Sequence, residues 1–285
     1  MKKYFSLVLF AHTVFALPFA VIGFFLGVTT TDATFSWQKF LLMLGCMVFA
    51  RNSAMAFNRY LDRDIDAINP RTQMRDIPAG KIGVKSALIF TILNSLLFIL
   101  CTWFINPLCF YLSPVALLVV LGYSYTKRFT ALCHLVLGLG LSLAPIGAYL
   151  VVTGHFALLP ICFSLAVLGW VSGFDIIYAL QDDEFDKQHN LHSIPATLGR
   201  KNALMVSNLL HIFSAICVIV PVFLAPTLSW PYYAGVLFFI CALIYQHMLV
   251  NPNDLSKVNR AFFTTNGIAS VVFALFFLID RLWKH

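Results

Sequence analysis

The sequence predicts an all-α, polytopic integral membrane protein, a single transmembrane domain over residues 1 to 285 built as a bundle of about nine helices. Three observations predict it. Of the residues, 60% are hydrophobic and only 11% charged, against roughly 25% charged in an ordinary soluble domain. The apolar residues fall in runs long enough to span a bilayer, which takes about 20 residues for about 30 Å of hydrocarbon. More than half of the charged residues crowd into two windows, 58 to 85 and 175 to 201. A water-facing enzyme is excluded, and the net charge of +7 is too thinly spread for a nucleic-acid binder.

The first run, 4 to 28, follows Met1-Lys2-Lys3 and ends at Thr29 to Asp32. It exceeds the roughly 7 to 15 residues of a signal-peptide core and lacks a persuasive cleavage site, so it reads as a span. The second, 37 to 60, runs into the first charged window. The third and fourth, 85 to 105 and 108 to 126, are divided only by Asn106-Pro107; this is the slightest break and leaves eight or ten spans open. Thr126-Lys127-Arg128 precedes the fifth, 130 to 152, and Thr153-Gly154-His155 the sixth, 157 to 180, which enters the second charged window. The seventh, 201 to 223, ends before Pro226 to Pro231; the eighth is 231 to 250; Asn251-Pro252-Asn253-Asp254 leads to the ninth, 260 to 281. The seven cysteines lie singly in apolar runs and read as small buried hydrophobes.

With the N-terminus in the cytoplasm, the even-numbered connections share its side. Those connections, the N-terminus and the adjoining helix ends hold all of the 19 Lys+Arg except Lys39, Arg281 and Lys284. This positive-inside bias predicts a multi-pass protein of the cell's inner membrane with both charged windows facing the cytoplasm. Two polar clusters far apart in sequence can then meet at one membrane surface.

The first window reads Asn58-Arg59-Tyr60-Leu61-Asp62-Arg63-Asp64-Ile65-Asp66, so Asn58, Asp62 and Asp66 fall within about 80° on one helix face. In the second, Tyr178, Asp182 and Asp186 repeat that spacing at an offset of 120 residues. One Asp-x-x-x-Asp at a helix end is usually a solvated face. Two copies on the same side favour a site. Four convergent carboxylates need cations between them, and hard oxygen donors without His or Cys suit Mg²⁺. Asp62, Asp66, Asp182 and Asp186 are therefore the candidate metal ligands and catalytic residues. Two Asp sets can hold Mg²⁺ around a diphosphate, with Arg63, Arg71, Arg75, Lys127 and Arg128 complementing its remaining charge. Deeper in the spans, Arg51 and Asp175 are either site residues or a structural pair, because charges there face a protein interior or a wet cavity. His12 is open between an interhelical hydrogen bond and substrate contact.

These motifs resemble the UbiA family of intramembrane aromatic prenyltransferases, and the resemblance covers most of the chain. It is carried by Asn58-x-x-x-Asp62-x-x-x-Asp66 with Arg71-Thr72 and Arg75-Asp76-Ile77-Pro78-Ala79-Gly80. It is carried also by Asp175-x-x-Tyr178-Ala179-x-Gln181-Asp182-x-x-x-Asp186 with Ser193-Ile194-Pro195 and Leu198-Gly199, and by Tyr123 to Thr130 and Leu143 to Gly147. The resemblance implies a nine-helix bundle, Mg²⁺ and an allylic polyprenyl diphosphate. Asn58, Asp62, Asp66, Asp182 and Asp186 match metal and diphosphate positions, and Lys127 and Arg128 a basic loop at the diphosphate.

The resemblance further implies transfer of the polyprenyl group to an aromatic carbon of a hydroxylated aromatic acid in ubiquinone or menaquinone biosynthesis. Arg51, His12, Asp175 and Tyr178 are the candidate acceptor-binding residues. Many 4-hydroxybenzoate enzymes of the family carry a basic residue and Lys-Pro in the first span. His12-Thr13-Val14-Phe15-Ala16-Leu17-Pro18-Phe19 departs from that, and resembles a bacterial subgroup, some of it assigned to the futalosine route to menaquinone, where the acceptor is a dihydroxynaphthoate. The expected partners are thus the two substrates and the lipid bilayer, with no nucleic acid. Two other functions remain open at this stage: a transporter of a divalent cation or lipid-linked anion, and a prenyltransferase acting on haem or a chlorin.

Overall fold

The structure, a computed structural model, describes residues 13–282. Its helices are α1 (Thr13–Thr30), α2 (Trp37–Leu61), α3 (Arg63–Ile68), α4 (Val84–Trp103), α5 (Pro107–Thr126), α6 (Cys133–Thr153), α7 (Leu158–Ala179), α8 (Asp183–Gln188), α9 (Ile194–Leu224), α10 (Trp230–Leu249) and α11 (Asn266–Leu282). A 3₁₀ turn (Leu180–Asp182) joins α7 to α8, and a π-helical turn (Arg260–Thr265) leads into α11.

Eight described segments are long and apolar enough to cross a membrane, and α1 adds a further apolar helix. The start of the first predicted span, with His12, lies outside the described residues. Asn106 and Pro107 do separate the third and fourth runs. Asn106 caps α5, its side chain accepting from the Cys109 amide at 2.8 Å and donating to Leu150 O on α6 at 2.8 Å, and Pro107 begins the helix without needing an N–H partner. The seventh span begins where the sequence places it: a short helical stretch opens at Ile194, where Ser193 accepts from the Ala196 amide, but Gly199 (φ 78°, ψ 162°) breaks it, and the continuous run of α9 follows that break, beside the expected 201. Only glycine adopts that backbone readily.

Helix α7 is the central post, packed along α6 on one side and α9 on the other. Small residues make the approach close, and hydroxyls tie it: Ser207 donates to Gly173 O and Ser214 to Ala166 O, each at 2.7 Å. A Cβ on Gly173 would lie 2.3 Å from a ring carbon of His211. On the other flank α1 seats against α6, where a Cβ on Gly23 would lie 1.9 Å from the Pro145 carbonyl oxygen. Between α1, α7, α10 and α11, Phe19, Trp170, Phe239 and Phe273 are fully buried in mutual ring contact. Outward, Leu118, Phe223, Leu237 and Met248 are exposed, as lipid-facing side chains should be. The described cysteines are all free thiols.

The connections that carry the charged windows, together with the α5–α6 connection, come together at one end of the bundle. Arg128 donates to Leu61 O at 3.0 Å, and the His192 amide to Lys127 O at 2.8 Å.

Gly23→Ala is expected to lower stability by about 1–3 kcal/mol through overpacking against backbone. Gly122→Ala, whose Cβ would meet nothing within 4 Å, is expected to melt like the parent. Thermal unfolding of the detergent-purified protein reads both.

Candidate active site

Helix α2 stops at Leu61 because Asp62 leaves helical geometry (φ −87°, ψ 6°), and α3 restarts at once. The Asp62 amide still donates to Asn58 O at 2.9 Å and the Asp66 amide to Asp62 O at 2.7 Å, so the three side chains keep to one side. At the end of α7 the 3₁₀ turn does the same work, leaving Asp182 (φ −113°, ψ 4°) at the head of α8. Both motifs straddle a helix junction at their first Asp, a feature that reading each as one continuous helix overlooks.

Each of the four aspartates is held by a different cation. Arg71 grips Asp182 with two nitrogens, Nε donating to Oδ1 at 2.8 Å and Nη2 to Oδ2. Arg75 Nη1 lies 2.6 Å from Asp66 Oδ1, Lys127 Nζ 2.7 Å from Asp186 Oδ1, and Arg128 Nη2 2.9 Å from Asp62 Oδ1. Asn58 donates to the other oxygen of Asp62 at 2.8 Å, and Asn69 to Asp182 at 3.3 Å. These four cations were all named as diphosphate ligands by sequence. Burial pushes the Asp62 carboxyl above its ordinary value, and Arg128 opposes that shift without cancelling it. Burial disfavours the charged form of Arg71, but the hydrogen bonds and charge of Asp182 outweigh it and hold the guanidinium above its ordinary value.

Two arrangements go beyond what the spacing shows. Among the described residues no three His, Cys, Asp or Glu converge, and each of the four aspartates meets a basic side chain instead. Mutual repulsion of the carboxylates favours that one-to-one pairing over a bare cluster. The donor chemistry nonetheless fits Mg²⁺: Asp66 Oδ2 and Asp186 Oδ2 are buried without hydrogen-bond partners. Mg²⁺ commonly uses one or two carboxylates and completes its shell with water and phosphate oxygens. Arg63 stands apart from this group. The junction at Asp62 turns it to Tyr60, where it donates to the carbonyl at 2.8 Å and lies over the ring, and to exposed Asp64 at 3.4 Å.

Asp175 does not meet Arg51. It pairs with His134 on α6, whose Nδ1 is 2.7 Å from Asp175 Oδ2 and whose Nε2 accepts from the Ile194 amide at 3.3 Å. Asp175 and His134 thus fasten the start of α9 to α6 and α7. Tyr178 supports Arg71: its hydroxyl accepts from Nη1 at 3.1 Å, the guanidinium lies 5.3 Å from its ring centre, and Phe262 stacks behind at 4.1 Å. Sequence reasoning missed His134, the Asp183–Arg200 pair with its two 2.9 Å bonds, and Arg59, which is buried beside Asn58. The signal for His134 was a histidine inside an apolar run; for Arg59, a cation inside the motif itself.

Beside this charged end lies a cavity of about 330 Å³ between α2, α4, α5, α6 and the start of α1. Its lining is almost wholly apolar, including Met47, Phe98, Leu112 and Leu141, with Arg51 and Tyr123 as its large polar side chains. Arg51 Nε is buried without a hydrogen-bond partner. Along the helices, Arg51 sits two turns before Asn58, and Tyr123 about one turn before Lys127. An apolar chamber therefore adjoins a cluster of paired charges.

The UbiA prenyltransferase family profile matches residues 16–268. The chain belongs to the UbiA prenyltransferase family. Among UbiA-type relatives it is 28% identical over 239 residues to the 4-hydroxybenzoate octaprenyltransferase of Tolumonas auensis, covering 84% of this chain and 83% of that one. It is 30% identical over 247 residues to that of Paraburkholderia phytofirmans, covering 85% and 84%. A UbiA homolog from Aeropyrum pernix K1 matches in structure with TM-score 0.84 at 30% identity over 94% of this chain and 98% of that one. Another, from Archaeoglobus fulgidus and bound to GPP and Mg²⁺, matches with TM-score 0.79 at 23% identity over 98% and 99%, a likeness of fold. The protein is a multi-pass UbiA-family prenyltransferase.

Replacing His134 by Ala leaves Asp175 and the Ile194 amide without their shared partner, so a loss of about 1–3 kcal/mol is expected. Glu184→Gln, at a side chain 79% exposed, is expected to change nothing. Parallel melting curves decide between them.

Proposed function

We propose that this enzyme transfers a polyprenyl group from an allylic polyprenyl diphosphate to an aromatic carbon of a hydroxylated aromatic acid, with Mg²⁺ as cofactor. The acceptor class is 4-hydroxybenzoate or a dihydroxynaphthoate, which places the reaction in ubiquinone or menaquinone biosynthesis. The observation that carries the reading is the apolar cavity holding the partnerless Nε of Arg51 directly beside four Asp–cation pairs. The names of the relatives, and the GPP and Mg²⁺ in the Archaeoglobus fulgidus homolog, support it.

In this mechanism Asp62, Asp66, Asp182 and Asp186 would hold the metal in place of their basic partners, which would leave Arg71, Arg75, Lys127 and Arg128 free for phosphate oxygens. Bound Mg²⁺ neutralises charge gathering on the departing diphosphate. The cavity lining keeps water from the allylic cation as the carbon–oxygen bond breaks. Arg51 anchors the acceptor carboxylate by charge-assisted hydrogen bonds, so that the electron-rich ring carbon faces the cation and attacks it; the ring then loses a proton. A polyprenyl tail enters from lipid, and the polar acceptor arrives from the cytoplasm, the side to which the positive-inside bias assigns the charged end.

The partner exchange has a measurable sign. In Lys127→Met, Asp186 no longer has a competing cation, so Mg²⁺ alone binds more tightly while pyrophosphate binds more weakly; calorimetry that finds Mg²⁺ affinity unchanged in the folded variant removes the exchange. Asp62→Ala and Asp182→Ala are expected to abolish Mg²⁺-dependent prenyl transfer in protein that remains folded, and retained turnover sinks the metal assignment. Arg51→Ala is expected to raise acceptor KM about tenfold or more. A panel of 4-hydroxybenzoate against bicyclic naphthoates then names the ring.

A further inference from the structure

Arg71, Arg75, Lys127 and Arg128 are committed to the four motif aspartates; the buried Arg59 is not. Arg59, in the last turn of α2, is 8% exposed and forms no hydrogen bond or ion pair with any described residue. Its electrostatic neighbours are Asp66, Arg75, Tyr123 and Tyr178. They come from α3, the connection after it, α5 and α7, so Arg59 lies where the charged segments converge. A buried charge without a partner is expensive to maintain unless a ligand supplies the counter-charge.

The neighbouring carboxylate shows the matching deficit. Arg75 holds Asp66 Oδ1, while Asp66 Oδ2 is buried and partnerless. A guanidinium and a carboxylate oxygen thus lie in one neighbourhood, both unsatisfied, without bonding each other. A simple anion would satisfy only the first and a simple cation only the second. A diphosphate accompanied by a divalent cation satisfies both.

We infer that Arg59 is a diphosphate-binding residue, donating to phosphate oxygens beside Asp66. The inference rests on the proposed prenyl-diphosphate chemistry and adds a residue to it. Arg59 differs in kind from Arg71, Arg75, Lys127 and Arg128, which must each release a carboxylate before they can bind an anion. Arg59 releases nothing. It is therefore the contact through which diphosphate binds even before the Asp–cation pairs exchange, and its contribution persists without divalent metal.

The test is calorimetric titration of the full-length, detergent-purified protein with sodium pyrophosphate in EDTA, and again with Mg²⁺ present. Arg59→Met and Arg59→Gln are expected to weaken pyrophosphate about tenfold or more in both conditions, the scale of a lost charge-assisted hydrogen bond. Arg59→Lys keeps the charge and is expected to recover most of the affinity. In steady-state assays the Arg59→Gln variant is expected to raise prenyl-diphosphate KM and leave acceptor KM unchanged. Unaltered pyrophosphate affinity in either neutral variant, with elution and melting like the parent, overturns the assignment. Should Arg59→Met fail to fold, Arg59→Gln and Arg59→Lys carry the same comparison. A parent protein that binds no pyrophosphate even with Mg²⁺ overturns the proposed function itself.

Discussion

The one-to-one pairing of four aspartates with four cations organises the functional end of this bundle. Arg71 ties the first charged connection to Asp182, Arg128 ties the α5–α6 connection to Asp62, and Lys127 ties that same connection to Asp186. Three segments distant in sequence are drawn together by charges that would otherwise repel within each set. Surface ion pairs contribute little because water screens them. Here Asp66 and Asp186 are buried, so the pairing is a condition of burying them at all.

Beneath that end the physics reverses. The cavity offers few polar groups, and its walls are the apolar faces of α2, α4, α5 and α6. Charge handling and water exclusion are thus assigned to adjoining regions of the same helices. α2 contributes Met47 and Arg51 to the chamber and, two turns on, Asn58 and Asp62 to the charged end. α5 does likewise with Leu112 and Tyr123, then Lys127 and Arg128. Only a few residues of helical rise separate the place where a diphosphate would be held from the place where an allylic cation would be shielded.

Much of this was legible in the sequence because each signal was local. Apolar run length marked the spans, and Asn106-Pro107 marked a real helix start because both residues serve a helix N-terminus. The Asp repeat and four of its basic partners were visible as spacing. What was not legible depended on geometry between elements. Nothing in spacing alone says that Arg128 rather than Arg63 reaches Asp62, since that follows from the helix junction at Asp62 and from where α5 ends. Depth alone left Asp175 open between a site role and a pair with Arg51, whereas His134 on the neighbouring helix claims it. The short helical stretch from Ile194 to Gly199 was not legible, because it depends on the Ser193 cap and not on an apolar run.

The balance of charges at this end also bears on how the protein comes into being. A zinc finger cannot fold until its metal arrives, because its ligands have no other counter-ion. Asp62, Asp66, Asp182 and Asp186 find their counter-ions within the chain, so the folded end does not depend on a bound ion to balance their charge. On the proposed Mg²⁺ chemistry, removing the ion would stop turnover without unfolding the bundle.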